Sequence, residues 1–81
     1  MHIMYVLKSE KDGRLYIGST SDLDRRLLEH SQGLVKSTKH RRPLIFIYQE
    51  QFENKKDAEA RERYFKGGGK ARKLLGELMG V

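Results

Sequence analysis

The sequence contains no cysteine and no long apolar run. Without cysteine the chain can form neither a disulfide nor a thiolate metal site, which suits a reducing, intracellular setting. The apolar stretch from Met1 to Leu7 is too short for a signal-peptide core or a membrane span, and charged residues follow it at once. We therefore expect a cytoplasmic protein that has no membrane partner.

Acidic residues are also few relative to basic ones. Lys and Arg total 17 against 11 Asp and Glu, which gives a net charge of +6 over 81 residues. A chain of this length predicts one domain, residues 1–81, because domains average roughly 100–150 residues. The positive charge favours a polyanionic partner, most simply nucleic acid. Charge alone does not decide this, because small basic proteins are common and charge also confers solubility.

The first third of the chain predicts a β-hairpin followed by a helix. Met4–Leu7 is apolar on both faces, as in a strand that is buried on both sides, and Leu15–Gly18 is the returning strand. An Asp-Gly pair in the intervening Lys11–Arg14 segment indicates the turn. Ser21 or Asp22 then caps a helix that runs to about Ser31 and stops at Gly33.

The rest of the chain predicts a third strand and two more helices. Residues 33–42 read as a basic loop, and Pro43 precedes the apolar run Leu44–Tyr48, which we expect to be a well-buried strand. Asn54 caps a second helix to about Lys66, and three glycines at 67–69 end it. The order β-β-α-β-α-α predicts an α/β (α+β) fold with a small, mainly antiparallel three-stranded sheet flanked by helices.

The last helix, Lys70–Met79, has one apolar side. Core packing explains this side as well as an intersubunit contact does, so we expect a monomer or a weak homodimer. The residues of this side are Leu74, Leu75, Leu78 and Met79.

Two polar side chains share the apolar arc of the first helix. Leu23 and Leu27 must face the sheet, and helical geometry places Arg26 and His30 within the same arc of roughly 100°. A half-buried arginine is costly unless a negative group meets it. The alternative is that Arg26 extends from the edge of the arc to solvent, and spacing alone slightly favours this alternative.

The second helix carries an acid in the same kind of position. Ala58 and Phe65 belong to the core, and Glu62 lies between them on the same arc. A glutamate there needs a cation, either a side chain or a metal ion. By spacing alone a structural ion pair is favoured, because buried carboxylates are paired more often than they bind metal.

The hairpin carries two tyrosines, Tyr5 and Tyr16, one on each strand. Because the strands pair through the Asp-Gly turn, the two hydroxyls can converge at one site. For either tyrosine alone, ordinary core packing with the hydroxyl at the rim is the default interpretation.

These residues, in this order and spacing, resemble the GIY-YIG nuclease family, which includes the N-terminal domain of the UvrC repair endonuclease and small single-domain UvrC-like proteins. The first motif stands as Ile3-Met4-Tyr5, without its glycine, and the second is intact as Tyr16-Ile17-Gly18. The segment from Ser19 to His30 is similar to the family's helix signature, with Arg26 as its arginine, and Glu62 matches the metal-binding glutamate.

The resemblance implies a GIY-YIG fold and metal-dependent hydrolysis of phosphodiester bonds in nucleic acid, with DNA favoured over RNA and the choice between them left open. The catalytic residues would be Tyr5, Tyr16, Arg26, His30 and Glu62. Glu62 would hold one Mg²⁺ or Mn²⁺, Arg26 would grip the scissile phosphate, and one tyrosine would align or deprotonate the water. His30 would accept a proton from a tyrosine hydroxyl or bind a phosphate oxygen.

Six basic residues are candidate contacts to a nucleic-acid backbone, although each is equally well explained as solvated surface. They are Lys8, Lys36, Lys39, His40, Arg41 and Arg42. Two other functions are compatible with the same residues: a module of the same fold that binds nucleic acid without cleaving it, and a structural or protein-interaction domain.

Overall fold

A computed structural model of the protein describes residues 1–80. The elements in chain order are β1 (His2–Ser9), β2 (Leu15–Thr20), α1 (Leu23–Ser31), a 3-10 turn (Lys39–Arg41), β3 (Leu44–Phe52), α2 (Lys55–Lys66) and α3 (Lys70–Leu78). The strands form one antiparallel sheet in the order β2-β1-β3. The predicted element order and fold class are therefore confirmed, and within residues 1–80 the 3-10 turn is the one element that was not predicted.

The predicted Asp-Gly turn joins β1 to β2. Gly13 has φ +73°, a conformation that favours glycine, and its N–H donates to the Ser9 carbonyl at 2.9 Å. The resulting register places Tyr5 opposite Gly18, and Leu7 opposite Tyr16. Side chains that pair directly lie on one face of a sheet, and so do those two positions apart along a strand. Tyr5 and Tyr16 therefore share a face.

The central strand β1 is buried on both faces, as its apolar run predicts. Its four residues from Met4 to Leu7 are at most 1% exposed. Met4 and Val6 pack on one face with Phe65 of α2 and Leu75 of α3. On the opposite face Leu7 borders a small cavity together with residues of α1 and β3. The sheet thus separates α1 from α2 and α3.

The expected burial of β3 is wrong. Ile45, Phe46 and Ile47 are 44%, 40% and 37% exposed. β3 lies at an edge of the sheet, and its pairing with β1 is irregular next to Val6 and Leu7. An apolar run alone does not distinguish a central strand from an edge strand, because the burial of a strand depends on its place in the sheet and on helices that are remote in sequence. Here α1 is only nine residues long.

The helix ends follow the local signals. The Asp22 side chain accepts from the Arg25 N–H at the start of α1, and the Asn54 side chain accepts from the Asp57 N–H at the start of α2. Within α3, Leu75 is fully buried and Leu78 is 44% exposed. No helix within residues 1–80 has the length and apolar character needed to cross a membrane.

Candidate active site

The hairpin and α1 bring two tyrosines and a histidine together. The Tyr5 hydroxyl lies 2.8 Å from His30 Nε2. The Tyr16 ring centroid lies 6.3 Å from that of Tyr5 and 5.1 Å from that of His30, in an edge arrangement with the imidazole. His30 is the buried residue of α1 and Tyr5 is 1% exposed. The predicted convergence of the tyrosines therefore occurs in the structure, on the face that α1 covers.

Gly18 makes room for this arrangement. A Cβ atom built on Gly18 would lie 2.6 Å from Tyr5 Oη, 2.8 Å from Tyr5 Cζ and 3.1 Å from Tyr16 Cε2. The Tyr5 phenol therefore rests against the bare backbone of β2, and any side chain at this position would push the phenol away. The glycine of the Tyr16-Ile17-Gly18 motif thus has a steric role in placing Tyr5.

Burial and charge set the protonation of the buried pair. Burial raises the pKa of the Tyr5 hydroxyl to about 12, although the nearby positive charge of Arg26 acts in the opposite direction. Burial lowers the pKa of His30 to about 4, and the same arginine contributes to this decrease. Near neutral pH both groups are consequently uncharged.

Arg26 lies at the rim of the site. Its side chain is 35% exposed, and Nη1 donates to Glu29 Oε1 at 3.1 Å. Its positive charge acts to lower the pKa of both Tyr5 and His30, adding to the effect of burial on His30 and opposing the larger effect of burial on Tyr5. The structure therefore combines both expectations for this residue: it extends towards solvent, and it also stands beside the tyrosine. A phosphate would compete with Glu29 for the guanidinium.

Glu62 extends from α2 to the edge strand β2, which also carries Tyr16. Its Oε1 accepts from the Ser19 hydroxyl of β2 at 2.8 Å, and its Oε2 accepts from Lys66 Nζ at 2.6 Å. The same ammonium lies 6.0 Å from the Tyr16 ring centroid. The negative charge of Glu62 also acts on the pKa of Tyr5, as a minor contribution. Glu62 is thus close to the tyrosines and forms the ion pair that spacing alone favours.

The donor set around Glu62 fits a weakly held divalent cation. Within residues 1–80, no group of three or more His, Cys, Asp or Glu side chains is arranged to hold a metal ion. Mg²⁺ commonly uses one or two carboxylates together with waters and substrate phosphates, so Glu62 would supply the one carboxylate and the substrate would complete the site. Because Lys66 occupies Oε2, such an ion would displace its ammonium.

Arg61, the neighbour of Glu62, belongs to a separate network. Its Nε and Nη2 donate to the two carboxylate oxygens of Glu50 at 2.8 and 3.3 Å. Tyr48 also donates to Glu50, at 2.6 Å. The guanidinium lies 4.3 Å from the Phe65 ring centroid. These contacts fix α2 on β3, and they explain the arginine without any role in a reaction.

The six candidate backbone contacts divide into different environments. One concavity of about 550 Å³ is lined by Lys39, His40 and Arg42. Lys11, which was not among the predicted backbone contacts, also lines it. Among residues 1–80, no acidic side chain lines this concavity. Lys39 and His40 directly follow Thr38, whose hydroxyl lies 2.7 Å from His30 Nδ1. The concavity is therefore next to the His30 side of the tyrosine site.

The remaining three basic residues lie outside this concavity. Arg41 is committed to the fold, because its Nε donates to Asp12 at 3.0 Å and its Nη2 to the Leu15 carbonyl. Lys8 borders another depression with Leu15, Ile47 and Met79. Lys36 is exposed in the segment after α1.

Three residues that contact the site were not predicted from the sequence. Lys66 follows Glu62 by four residues, and this helical spacing is a readable signal for an ion pair. Ser19 belongs to the strand end that follows the second motif. Thr38 carries no readable signal, because its contact with His30 depends on how the loop after α1 folds back.

Comparison with known proteins agrees with this geometry. The model of the GIY-YIG catalytic domain matches residues 1–74. The UPF0213 protein SSP2268 of Staphylococcus saprophyticus is 40% identical over 74 residues, which is 90% of this chain and 89% of the relative. The UPF0213 protein CPE1444 of Clostridium perfringens is 43% identical over 67 residues, 82% of this chain and 71% of the relative.

A solved structure shares the fold. The solution NMR structure of the UPF0213 protein BH0048 from Bacillus halodurans superposes with a TM-score of 0.60 at 33% identity, over 95% of this chain and 83% of that chain. The chain therefore belongs to the GIY-YIG family, and this membership supports a nuclease-type function.

Proposed function

We propose that the protein is a metal-dependent endonuclease that hydrolyses phosphodiester bonds in DNA. The observation that carries the proposal is the meeting of Tyr5, Tyr16 and His30 on one face of the hairpin, with Arg26 and Glu62 near enough to act on the charge of Tyr5. Phosphodiester hydrolysis needs an aligned water, a positive clamp on the phosphate and help for the leaving oxygen. Residues of the types needed for each role stand together around Tyr5.

Arg26 is assigned to the scissile phosphate. Its planar guanidinium matches two phosphate oxygens in a way that a lysine ammonium does not. Its partner in the free protein is Glu29, with which Arg25 also interacts at 3.6 Å. When Arg26 is released, Glu29 still has Arg25 as a cationic partner, so substrate binding does not leave the Glu29 carboxylate unpaired.

Tyr5 is assigned to the attacking water and Tyr16 to its alignment. The Tyr5 oxygen lies within 2.8 Å of His30 Nε2 and beside the charge of Arg26, two groups able to stabilise a phenolate. His30 faces Tyr5 and Thr38 with its two nitrogens, so we assign it to Tyr5 and not to a phosphate oxygen. A divalent cation on Glu62 would stabilise the leaving oxygen and add positive charge near the phenols.

The basic concavity is assigned to the backbone of the bound strand. Its lining contains Lys11, Lys39, His40 and Arg42 and, within the part of the chain that the structure describes, no acidic side chain. Arg42 also supports the fold, because its Nη1 donates to the Ser31 carbonyl at the end of α1. Phosphate contacts of this kind hold the strand irrespective of sequence and weaken as salt rises.

The test is a cleavage assay on single-stranded, branched and duplex oligonucleotides with Mg²⁺ or Mn²⁺. Glu62→Gln and Arg26→Ala should each lose at least about 10²-fold in cleavage rate, the scale seen when one transition-state contact is removed. The matched control for Glu62 is Glu59→Gln on the same helix, and the control for Arg26 is Arg63→Ala at an exposed position of α2; both should retain the rate. Activity of either site variant equal to its control would remove that residue from the catalytic list.

A second function, binding without cleavage, is favoured by one observation. Both oxygens of Glu62 already accept from protein donors, and Arg26 is paired with Glu29. If these pairs persist on the nucleic acid, the fold is a binding module. Salt-dependent binding of the same oligonucleotides with no cleavage at any metal concentration would establish this alternative.

A further inference from the structure

Thr38 contacts the ring nitrogen of His30 that points away from Tyr5. Its hydroxyl oxygen lies 2.7 Å from His30 Nδ1, and the residue is 0% exposed. Thr38 stands just before the 3-10 turn, in the segment that returns from α1 to β3. The contact is therefore closed to water, because His30 is also 1% exposed.

The hydroxyl proton of Thr38 has two possible acceptors. One is His30 Nδ1 at 2.7 Å and the other is the Val35 carbonyl oxygen at 3.5 Å. That carbonyl already accepts from the backbone N–H groups of Thr38 at 3.1 Å and Lys39 at 2.9 Å. A carbonyl oxygen has two lone pairs, so both are in use. The shorter contact, to Nδ1, is therefore where the hydroxyl proton belongs.

The position of this proton fixes the state of the imidazole. A neutral histidine carries its proton on one nitrogen, so an Nδ1 that accepts leaves the proton on Nε2. That nitrogen lies 2.8 Å from Tyr5 Oη and becomes a donor to the phenol oxygen. The other tautomer would leave the Thr38 hydroxyl with only the long contact to a saturated carbonyl. Such a loss is costly for a buried polar group.

We propose that Thr38 is a positioning residue that holds His30 as the Nε2–H tautomer, so that His30 donates a hydrogen bond to Tyr5 and does not take its proton. The Tyr5 hydroxyl proton is then directed away from His30. The consequence for a reaction rests on the proposed function: His30 would, together with Arg26, stabilise negative charge on the Tyr5 oxygen and would not act as the acceptor of the Tyr5 proton.

The tautomer can be read directly from the ring nitrogens by long-range ¹H–¹⁵N correlation NMR at neutral pH. The protein for this measurement carries His2→Gln and His40→Gln, which leaves His30 as the single imidazole of the chain. The expected spectrum shows Nε2 at the protonated position and Nδ1 at the unprotonated one. A spectrum with the proton on Nδ1 overturns the proposal.

Two substitutions test the part played by Thr38. Thr38→Ser keeps the hydroxyl and should keep the wild-type pattern. Thr38→Val keeps the shape without the hydroxyl, so a population with the proton on Nδ1 should appear. A valine variant with an unchanged pure Nε2–H pattern would refute the role of Thr38. If valine prevents folding, the histidine spectrum of the serine variant decides, since a changed pattern there contradicts the proposal.

The measurement needs no substrate, so it fails or succeeds independently of the nuclease assignment. A protein that never cleaves nucleic acid but shows the Nε2–H pattern would remove the proposed function and leave the tautomer established. A protein that cleaves nucleic acid while carrying the proton on Nδ1 would support the proposed function and overturn the tautomer proposal.

Discussion

Acid should destabilise this protein through His30. The residue is 1% exposed, and burial together with the charge of Arg26 lowers its pKa from 6.5 to about 4. In the unfolded chain the ring regains its ordinary pKa, so between these values the unfolded state binds the additional proton. The contribution of His30 is therefore complete above the unfolded pKa and is lost as the pH falls towards the folded one.

The expected magnitude follows from proton linkage. Between about pH 7.5 and about pH 5 the free energy of unfolding should fall by roughly 2 kcal/mol. The total free energy of unfolding of a domain of this length is on the order of 4–12 kcal/mol, so a loss of this size is readily measured. The assay is urea unfolding followed by circular dichroism at both pH values.

The comparison that isolates His30 uses differences within each protein. The variant with His2→Gln and His40→Gln should lose the same amount as the wild type. On the same acidification the free energy of unfolding of His30→Gln should fall much less. This variant starts from a lower stability because Tyr5 and Thr38 lose their partner. An equal pH dependence in the wild type and in His30→Gln would refute the reasoning.

Three further predictions address packing and charge. Gly18→Ala places a methyl 2.6 Å from Tyr5 Oη, so the phenol must move and cleavage should fall by about 10²-fold; an unchanged rate contradicts the steric role. Arg61→Met leaves a half-buried carboxylate of β3 without its cation, so urea unfolding should show a loss of about 1.5–3 kcal/mol while cleavage per folded molecule is retained. Lys39→Gln should reduce the slope of log affinity against log salt by about 1, whereas the exposed control Lys56→Gln should not.

The parts of the fold that sequence could predict are those governed by local rules. The Asp-Gly turn fixes the hairpin register, and the register alone places Tyr5 and Tyr16 on one face. Helical periodicity likewise places His30 on the inner face of α1, where it is 1% exposed. In both cases the decisive neighbours lie within a few residues along the chain.

The parts that could not be predicted depend on distant segments. Leu44–Tyr48 has the composition of a buried strand, but strand order puts it at an edge, where Phe46 is 40% exposed. The contact between Thr38 and His30 requires the loop after α1 to return to the helix. The division of the basic residues, with Arg41 bound to Asp12 and Lys39 in the concavity, likewise depends on where the β1–β2 turn lies.

The central claim is that one edge of this sheet binds a phosphate between Arg26 and the tyrosines while Glu62 holds a cation. The most direct measurement is a crystal structure with Mn²⁺ and an oligonucleotide whose backbone resists cleavage. We expect Mn²⁺ on Glu62, with Lys66 displaced, and a phosphate on Arg26 within reach of Tyr5. Mn²⁺ bound elsewhere, with phosphates only in the basic concavity, would contradict the account.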